Sequence, residues 1–293
     1  MIVNSNQQYI SQLKHIWKTI FNDSDGYIKL FFEQKYKHNE TLLDVKDGRI
    51  RGMVFFPSYN IKVYDTVYKS GYLCGAATLP EYRGQGVMEG LMQESFRLMS
   101  VRGDTFSVLI PANTSLYGFY SRFGYKPLLK RGVKTYSKLC YTDEKSNIKL
   151  IEIDSPDRIM PIYESIISTH KVVVLQDFST YNVAINIYKQ YGKIYIIKEL
   201  KTNLDIGYLF CEYYTDNRKL WVKEIMLTQN FLRETVKTLT NKFNPKTIVV
   251  EGLYRGLLPF ETVSTVGMLK TLNGSSDLKF IEDGNPYINM MLD

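Results

Sequence analysis

The stretch from Gly71 to Tyr125 constrains this chain more than any other. It sets Arg83-Gly84-Gln85-Gly86 between a short apolar strand, a turn at Pro80 and a run of helical period. A helix that begins in a glycine-rich turn presents unpaired backbone N–H groups, and the positive end of its dipole, to an anion. Gly84 and Gly86 carry no Cβ, so a phosphate can approach the main chain closely, and Arg83 adds a positive charge at the mouth. The pattern describes a pyrophosphate cradle.

Two kinds of cradle have to be weighed. Gly84-Gln85-Gly86-Val87-Met88-Glu89-Gly90 is a near miss to the dinucleotide fingerprint. That fold needs a βαβ unit with an acid at the end of the next strand to hold a ribose. The next strand here, about Thr105 to Ile110, runs into Pro111 and Ala112 with no carboxylate at its end. The residues before the glycines also read as a β-meander, with Asp47-Gly48 as a turn between alternating apolar runs. Both features argue against a dinucleotide fold.

The same residues closely resemble motif A of the GNAT acetyltransferase superfamily, in which Arg or Gln is followed by two residues, Gly, one residue and then Gly or Ala. Arg83, Gly84, Gln85, Gly86 and Val87 fit, whereas Met88 stands where a small residue is usual. Pro80-Glu81-Tyr82 before it, and Asn113 with Phe119-Tyr120-Ser121-Arg122-Phe123-Gly124-Tyr125 after it, match the rest of the family pattern. Met88 with Leu91-Met92 resembles the branch that holds the enhanced intracellular survival acetyltransferases, built from two tandem GNAT-like domains and usually a sterol-carrier-like domain. The detailed resemblance covers about residues 40 to 138. It implies an α/β (α+β) chain of two tandem GNAT-like domains, each a mixed, largely antiparallel sheet flanked by helices. The sterol-carrier-like domain is expected to be missing.

The chain's 293 residues suffice for two ordinary domains, and 44% hydrophobic with 23% charged residues is the balance of a soluble globular protein. No apolar run reaches the length of a membrane span, and the first residues lack a signal-peptide core, so the expectation is a cytoplasmic protein that engages no membrane. Cys74, Cys140 and Cys211 are widely spaced with no CxxC, which argues against a disulfide framework and against a metal. The net charge of +7 is spread among interleaved acids with no basic helix. It therefore reads as solvated surface plus a cofactor mouth, and no nucleic-acid partner is expected.

Along the chain, Gln7–Phe21 and Tyr27–Tyr36 read as helices, and four strands lie between Thr41 and Thr78. A helix from about Gly86 to Val101 carries a methionine-rich stripe that is usually core packing. Strand 105–110, helix 114–123 and a final strand around Val133–Leu139 complete a first domain, 1–140. The polar run Tyr141–Asn147 is the expected linker, with the junction between Leu139 and Ile148. Residues 147–293 repeat the layout: helices near 157–168 and 180–189, strands 194–199, 206–214 and 219–227, a helix near 229–243 and strand 247–251. Where the phosphate turn belongs, Met226-Leu227-Thr228-Gln229 passes into the helix with no Arg-x-x-Gly-x. The second domain thus reads as a degenerate GNAT-like domain without the pyrophosphate loop.

The resemblance implies acetyl-CoA as cosubstrate, no metal, and acetyl transfer by direct attack to a primary amine of a small molecule or peptide. It assigns Arg83, Gly84, Gln85, Gly86, Val87 and Met88 to the pyrophosphate, and Ala76, Ala77 and Thr78 to the pantetheine arm and the thioester oxygen. It also assigns Tyr120 to protonation of the departing sulfur. Tyr120 read alone is a core aromatic on an amphipathic helix, and Tyr117 is the alternative acid. Asn113 is either a pantetheine ligand or a helix cap. The base stays open between the terminal carboxylate of Asp293, which the resemblance suggests, a water relay, and a substrate amine deprotonated by solvent; His15, His38 and His170 have no partner suggested by spacing. Asp23, Asp25 and Glu33 are either contacts for a cationic amine or plain helix breakers and caps. A non-catalytic acyl-CoA-binding protein on the same scaffold is the alternative function, and homo-oligomerisation is left open.

Overall fold

A computed structural model describes residues 1–137, 145–228, 230–253, 262–272 and 278–288. It contains two compact units. The first holds Met1–Leu129 with Val266–Asp283, and the second holds Lys130–Thr265 with the described residues 284–288. Among the described residues no helix is long and apolar enough to cross a membrane.

The first unit opens with strand β1 (Ile2–Asn4) and helices α1 (Ile10–Phe21) and α2 (Asp25–Gln34). Asn22, in the left-handed region at φ 56°, ends α1, and the Ser24 hydroxyl caps α2 by accepting from the Tyr27 N–H. Strands β2 (Thr41–Lys46) and β3 (Arg49–Phe55) form a hairpin. Its two turn residues, Asp47 and Gly48, both have positive φ, as the sequence leads one to expect of an Asp-Gly hairpin. Next come β4 (Ser58–Val63), β5 (Thr66–Tyr72), β6 (Cys74–Thr78), α3 (Val87–Arg102), β7 (Phe106–Leu109) and α4 (Leu116–Ser121).

These strands form two layers of pairing. One sheet has the order β1-β2-β3-β6, with β6 at its edge. In the other, β4 pairs with β5, and β5 runs parallel to β7 through Tyr72↔Val108. Helix α3 buries Val87, Leu91, Met92, Ser95 and Met99, so the methionine-rich stripe is core. Its first turn lies directly on β3. A Cβ on Gly52 would stand 2.7 Å from Val87 Cγ1 and 3.0 Å from the Ala77 carbonyl oxygen.

Strand β8 (Lys126–Ser137) continues into the second unit, followed by β9 (Ile148–Glu152), α5 (Ile159–Ser168), β10 (Val172–Leu175) and α6 (Phe178–Tyr191). Then come β11 (Lys193–Glu199), β12 (Asp205–Tyr214), β13 (Lys219–Leu227), α7 (Leu232–Phe243) and β14 (Thr247–Gly252). The last elements are β15 (Thr262–Thr271), α8 (Lys279–Asp283) and β16 (Tyr287–Ile288). Within this unit β9, β11, β12 and β13 are antiparallel and β13 is parallel to β14. Leu232, Val236 and Leu239 of α7 pack on one face of that sheet. On β13 the buried Glu224 accepts O–H bonds from Tyr181 at 2.9 Å and Tyr208 at 2.8 Å.

One strand lies elsewhere than its sequence order suggests. The strand expected to complete the first domain pairs through Gly132–Ser137 with β14 in the second unit. The outer edge of β7 is instead covered by residues 268–271 of β15, antiparallel, from Met268↔Leu109 to Thr271↔Phe106. Sequence order carries no trace of this exchange, because β8 is one unbroken strand. Part of the expected linker, Cys140 and the Asp293 terminus lie outside the described residues.

Because Gly52 lets the first turn of α3 sit on β3, its replacement is a test of that packing. Gly52→Ala forces a methyl against a stiff β-branched side chain and a backbone oxygen, and should cost about 1–3 kcal/mol. Chemical denaturation checks this, and a loss below about 0.5 kcal/mol, the range of an ordinary surface change, contradicts the contact.

Candidate active site

The site begins where two strands part. The Leu73 N–H donates to the Val108 carbonyl at 2.8 Å, the last bond that holds this chain to β7. Beyond it β6 leaves β7 and pairs with β3 alone. The departure is marked by a bulge: Cys74 is opposite Phe55 and Ala77 opposite Met53, so Gly75 and Ala76 together face Val54. Gly75 sits at φ 53°. A Cβ there would lie 2.6 Å from Phe55 Cδ2 and 3.0 Å from Trp17 Cζ3, so the position demands glycine on both counts.

The free edge of β6 carries usable groups. The Leu79 N–H bonds to the Arg51 carbonyl at 2.9 Å. By the alternation of an antiparallel ladder, Thr78 therefore turns its own N–H and C=O away from β3. That carbonyl accepts from Nε of Arg83 at 3.2 Å, and Thr78 Oγ1 is buried with no hydrogen-bond partner among the described residues. Ala76 and Thr78 are half-buried, Ala77 buried.

A single 3₁₀ turn, Pro80–Tyr82, follows, then Arg83 to Gly86, all exposed. Gly84 has φ 73° and Gly86 φ 76°. The Gln85 amide folds back to the Glu81 carbonyl at 3.0 Å. Gly86 is the N-cap of α3 and no side chain caps the helix, so the first-turn N–H groups stay open to an anion. Arg83 is paired with no carboxylate among the described residues. A Cβ on Gly84 or Gly86 would meet no protein atom within 4 Å. The turn is thus an open cradle that only added side chains would fill, which fits a pyrophosphate.

Tyr120 on α4 is buried and shares one packed cluster with Val87, Leu91, Met92 and Met268. Ala76, Met88 and Tyr117 pack against that cluster, so the structure brings the β6 edge, the start of α3 and both candidate tyrosines together. Burial pushes the Tyr117 phenol up from its usual range. Tyr125, whose hydroxyl meets that of Ser107 at 2.5 Å, is raised further by complete burial. Asn113 is exposed, and its Oδ1 accepts from the Ser115 N–H at 3.1 Å and hydroxyl at 2.6 Å, the arrangement of a cap. Asp23 and Asp25 also take structural partners: Asp23 accepts from the Trp17 indole at 2.7 Å, and Asp25 pairs with Lys18 at 3.1 Å. Sequence reading missed Gly52 and Gly75. An isolated glycine within a strand pattern was the available signal, since it marks a bulge or a close backbone approach.

Residues 2–128 match the sequence model of the acetyltransferase (GNAT) domain family. No curated protein sequence matches the chain. Solved structures of similar fold include a GCN5-related N-acetyltransferase from Anabaena variabilis, with 16% identity, 93% of this chain and 73% of that chain covered, and a TM-score of 0.75. A protein of Enterococcus faecalis described as a probable N-acyltransferase gives 13%, 93%, 72% and 0.75. Eis1 from Mycobacterium abscessus gives 12%, 93%, 74% and 0.69. At such identities the likeness is one of fold, and it spans both units. The chain is therefore an α/β protein with a GNAT-like fold.

The cradle makes a prediction that separates ligand from fold. Gly86→Val places a β-branched residue at positive φ with no protein atom to strike, so strain alone should cost about 1–2 kcal/mol of stability. Binding of coenzyme A should be abolished because the side chain occupies the cradle. Calorimetry on the folded variant checks this, and undiminished affinity contradicts the cradle.

Proposed function

We propose that the chain is an acetyl-CoA-dependent N-acetyltransferase that transfers the acetyl group to a primary amine of a small molecule or peptide. One observation carries the reading: a single unit combines an unpaired β6 edge, a left-handed glycine turn opening onto α3, and a tyrosine packed in the cluster beneath both. Among its described residues the second unit offers no equivalent. There β13 stays bonded to β14 as far as Ile225↔Gly252, and α7 starts at Leu232 with no glycine in the residues that lead into it. We assign the coenzyme to the first unit only, and read the second as a degenerate GNAT-like domain.

Acetyl-CoA supplies the acyl group already activated as a thioester. In this reading the N–H groups of Gly84 to Met88 and the charge of Arg83 hold the pyrophosphate. The outward N–H and C=O groups of Ala76 and Thr78 pair with the pantetheine arm as an added strand would, and an N–H of this edge polarises the thioester oxygen. Asn113 retains its side-chain N–H₂ for the same arm while Oδ1 caps the turn. The amine lone pair attacks the carbonyl carbon, the C–S bond breaks, and the Tyr120 hydroxyl gives its proton to the leaving sulfur. The surplus amine proton leaves to solvent.

A screen of amines with acetyl-CoA, read by thiol release, tests the activity. Tyr120→Phe removes one hydroxyl from a packed ring, so acetyl-CoA affinity and the thermal midpoint should stay nearly unchanged. Turnover should fall by about a hundredfold to ten-thousandfold. A folded variant that turns over like the parent excludes Tyr120 as the acid and moves the role to Tyr117.

A further inference from the structure

We propose that Trp17 is a positioning residue for acyl transfer: its indole, held by Asp23, wedges the bulge that aims the backbone groups of β6. The proposal rests on the function argued above and goes beyond it, because Trp17 and Asp23 belong to neither the cradle nor the tyrosine cluster.

The wedge follows from the distances. Gly75 is the turning point of the bulge, and the space where its side chain would stand is filled by Phe55 and by Cζ3 of Trp17. Cζ3 belongs to the six-membered ring of the indole, the part that phenylalanine cannot supply at the same reach. Since β6 is an edge strand, no neighbour on its outer side fixes the bulge. Its inner side is held by Cys74↔Phe55 before the bulge and by Ala77↔Met53, Thr78↔Gly52 and the Leu79–Arg51 bond after it, while Gly75 and Ala76 have no register partner of their own. The pitch of Ala76 and Thr78 therefore depends on what stands behind Gly75.

Trp17 is itself held by five aromatic rings, those of Phe21, Tyr27, Phe31, Phe32 and Phe55, and by Asp23. Its ring centroid is 4.4 Å from that of Phe31 and 5.3 Å from that of Phe55. Its Nε1–H donates to Oδ2 of Asp23 at 2.7 Å, across the turn between α1 and α2. That bond fixes the rotation of the indole in its plane, and so the position of Cζ3. A reacting group displaced by about 1 Å can lose on the order of a hundredfold in rate. A loosened bulge should therefore reduce turnover more than binding.

The chain has only two tryptophans, Trp17 and Trp221, so Trp221→Phe leaves Trp17 as the sole indole. In that background, acetyl-CoA at β6 should change the emission of Trp17 on excitation at the indole's red edge, with a titration midpoint matching calorimetry. Trp17→Phe should keep acetyl-CoA affinity within about threefold while turnover falls at least about tenfold. Asp23→Ala should reproduce much of that loss, and Asp23→Asn, which keeps an accepting oxygen, should restore most of it. Three results each overturn the proposal: emission that ignores binding seen by calorimetry, Trp17→Phe turning over like the parent, or Asp23→Asn failing to recover above Asp23→Ala. If the unaltered chain binds no acetyl-CoA, the proposed function falls first and this inference with it.

Discussion

The ladder between β5 and β7 stops at the bond from Leu73 to Val108, and the candidate site is built around that stop. A strand that leaves its neighbour exposes a row of N–H and C=O groups, which natural sheets normally cover or blunt. Here the exposed segment is short, and Ala76 and Thr78 remain half-exposed, so water can satisfy their backbone without a ligand. The bulge at Gly75 turns the strand while β3 keeps its inner side paired. What results is an edge that is stable when empty and still open to a second strand-like partner. Its two ends are anchored by different means, the aromatic wedge behind Gly75 and the Leu79–Arg51 bond.

The cradle follows directly from that edge. Nine residues after Thr78 the chain has passed through the turn Pro80–Tyr82 and two left-handed glycines and entered α3 at Val87. The helix cannot slide, because Val87 and Leu91 are buried and Gly52 lets them seat on β3. Its dipole and open N–H groups are thereby fixed beside the β6 edge, and Arg83 ties the two together through the Thr78 carbonyl. Neither glycine is demanded by packing, since a Cβ at Gly84 or Gly86 would touch nothing. Their positive φ already favours glycine, and the empty space around both leaves room for something outside the protein. Gly75 is the contrasting case, where packing and φ both exclude a side chain.

What could be read from the sequence was what local chemistry decides. The glycine turn before α3, the Asp47-Gly48 hairpin, the methionine stripe as core and the missing phosphate turn in the second half all follow from short-range rules. Tyr120 packs among Val87, Leu91 and Met92, as an aromatic on an amphipathic helix is expected to by pattern alone; only the family motif adds the role of an acid. Other features were beyond that reach. Strand β1 has only three residues, and β10 only four, too short for a period to declare itself. The Asn113 pattern left ligand and cap equally open, and the observed cap to Ser115 occupies only its oxygen. Farthest from reach was the exchange of closing strands. Pairing of Gly132–Ser137 with β14, and of 268–271 with β7, depends on residues more than a hundred positions apart.

The second unit shows why the first is open. Both contain an irregularity in the strand before the helix, between Val222 and Ile225 in β13 as around Gly75 in β6. In β13 the strand regains β14 after it, at Ile225↔Gly252, whereas β6 never regains β7. The end of β13 is then tied back: Thr228 donates both its N–H, at 2.8 Å, and its hydroxyl, at 3.0 Å, to the Ile206 carbonyl. The Leu79 N–H makes the matching bond to Arg51 at the end of β6, so the difference lies beyond it: no glycine stands between Leu227 and α7. A bulge before an uncapped helix is common to both units and makes no candidate site by itself; the first unit adds a strand that stays away and a glycine turn into the helix. The second half still matters to the first unit, because residues 268–271 complete β7 on the edge that β5 leaves bare. A cut at the polar linker would strip that strand from β7, the strand whose Val108 ends the ladder where β6 departs. The first unit therefore draws on both ends of the chain, even though the residues proposed to perform the chemistry all lie before residue 126.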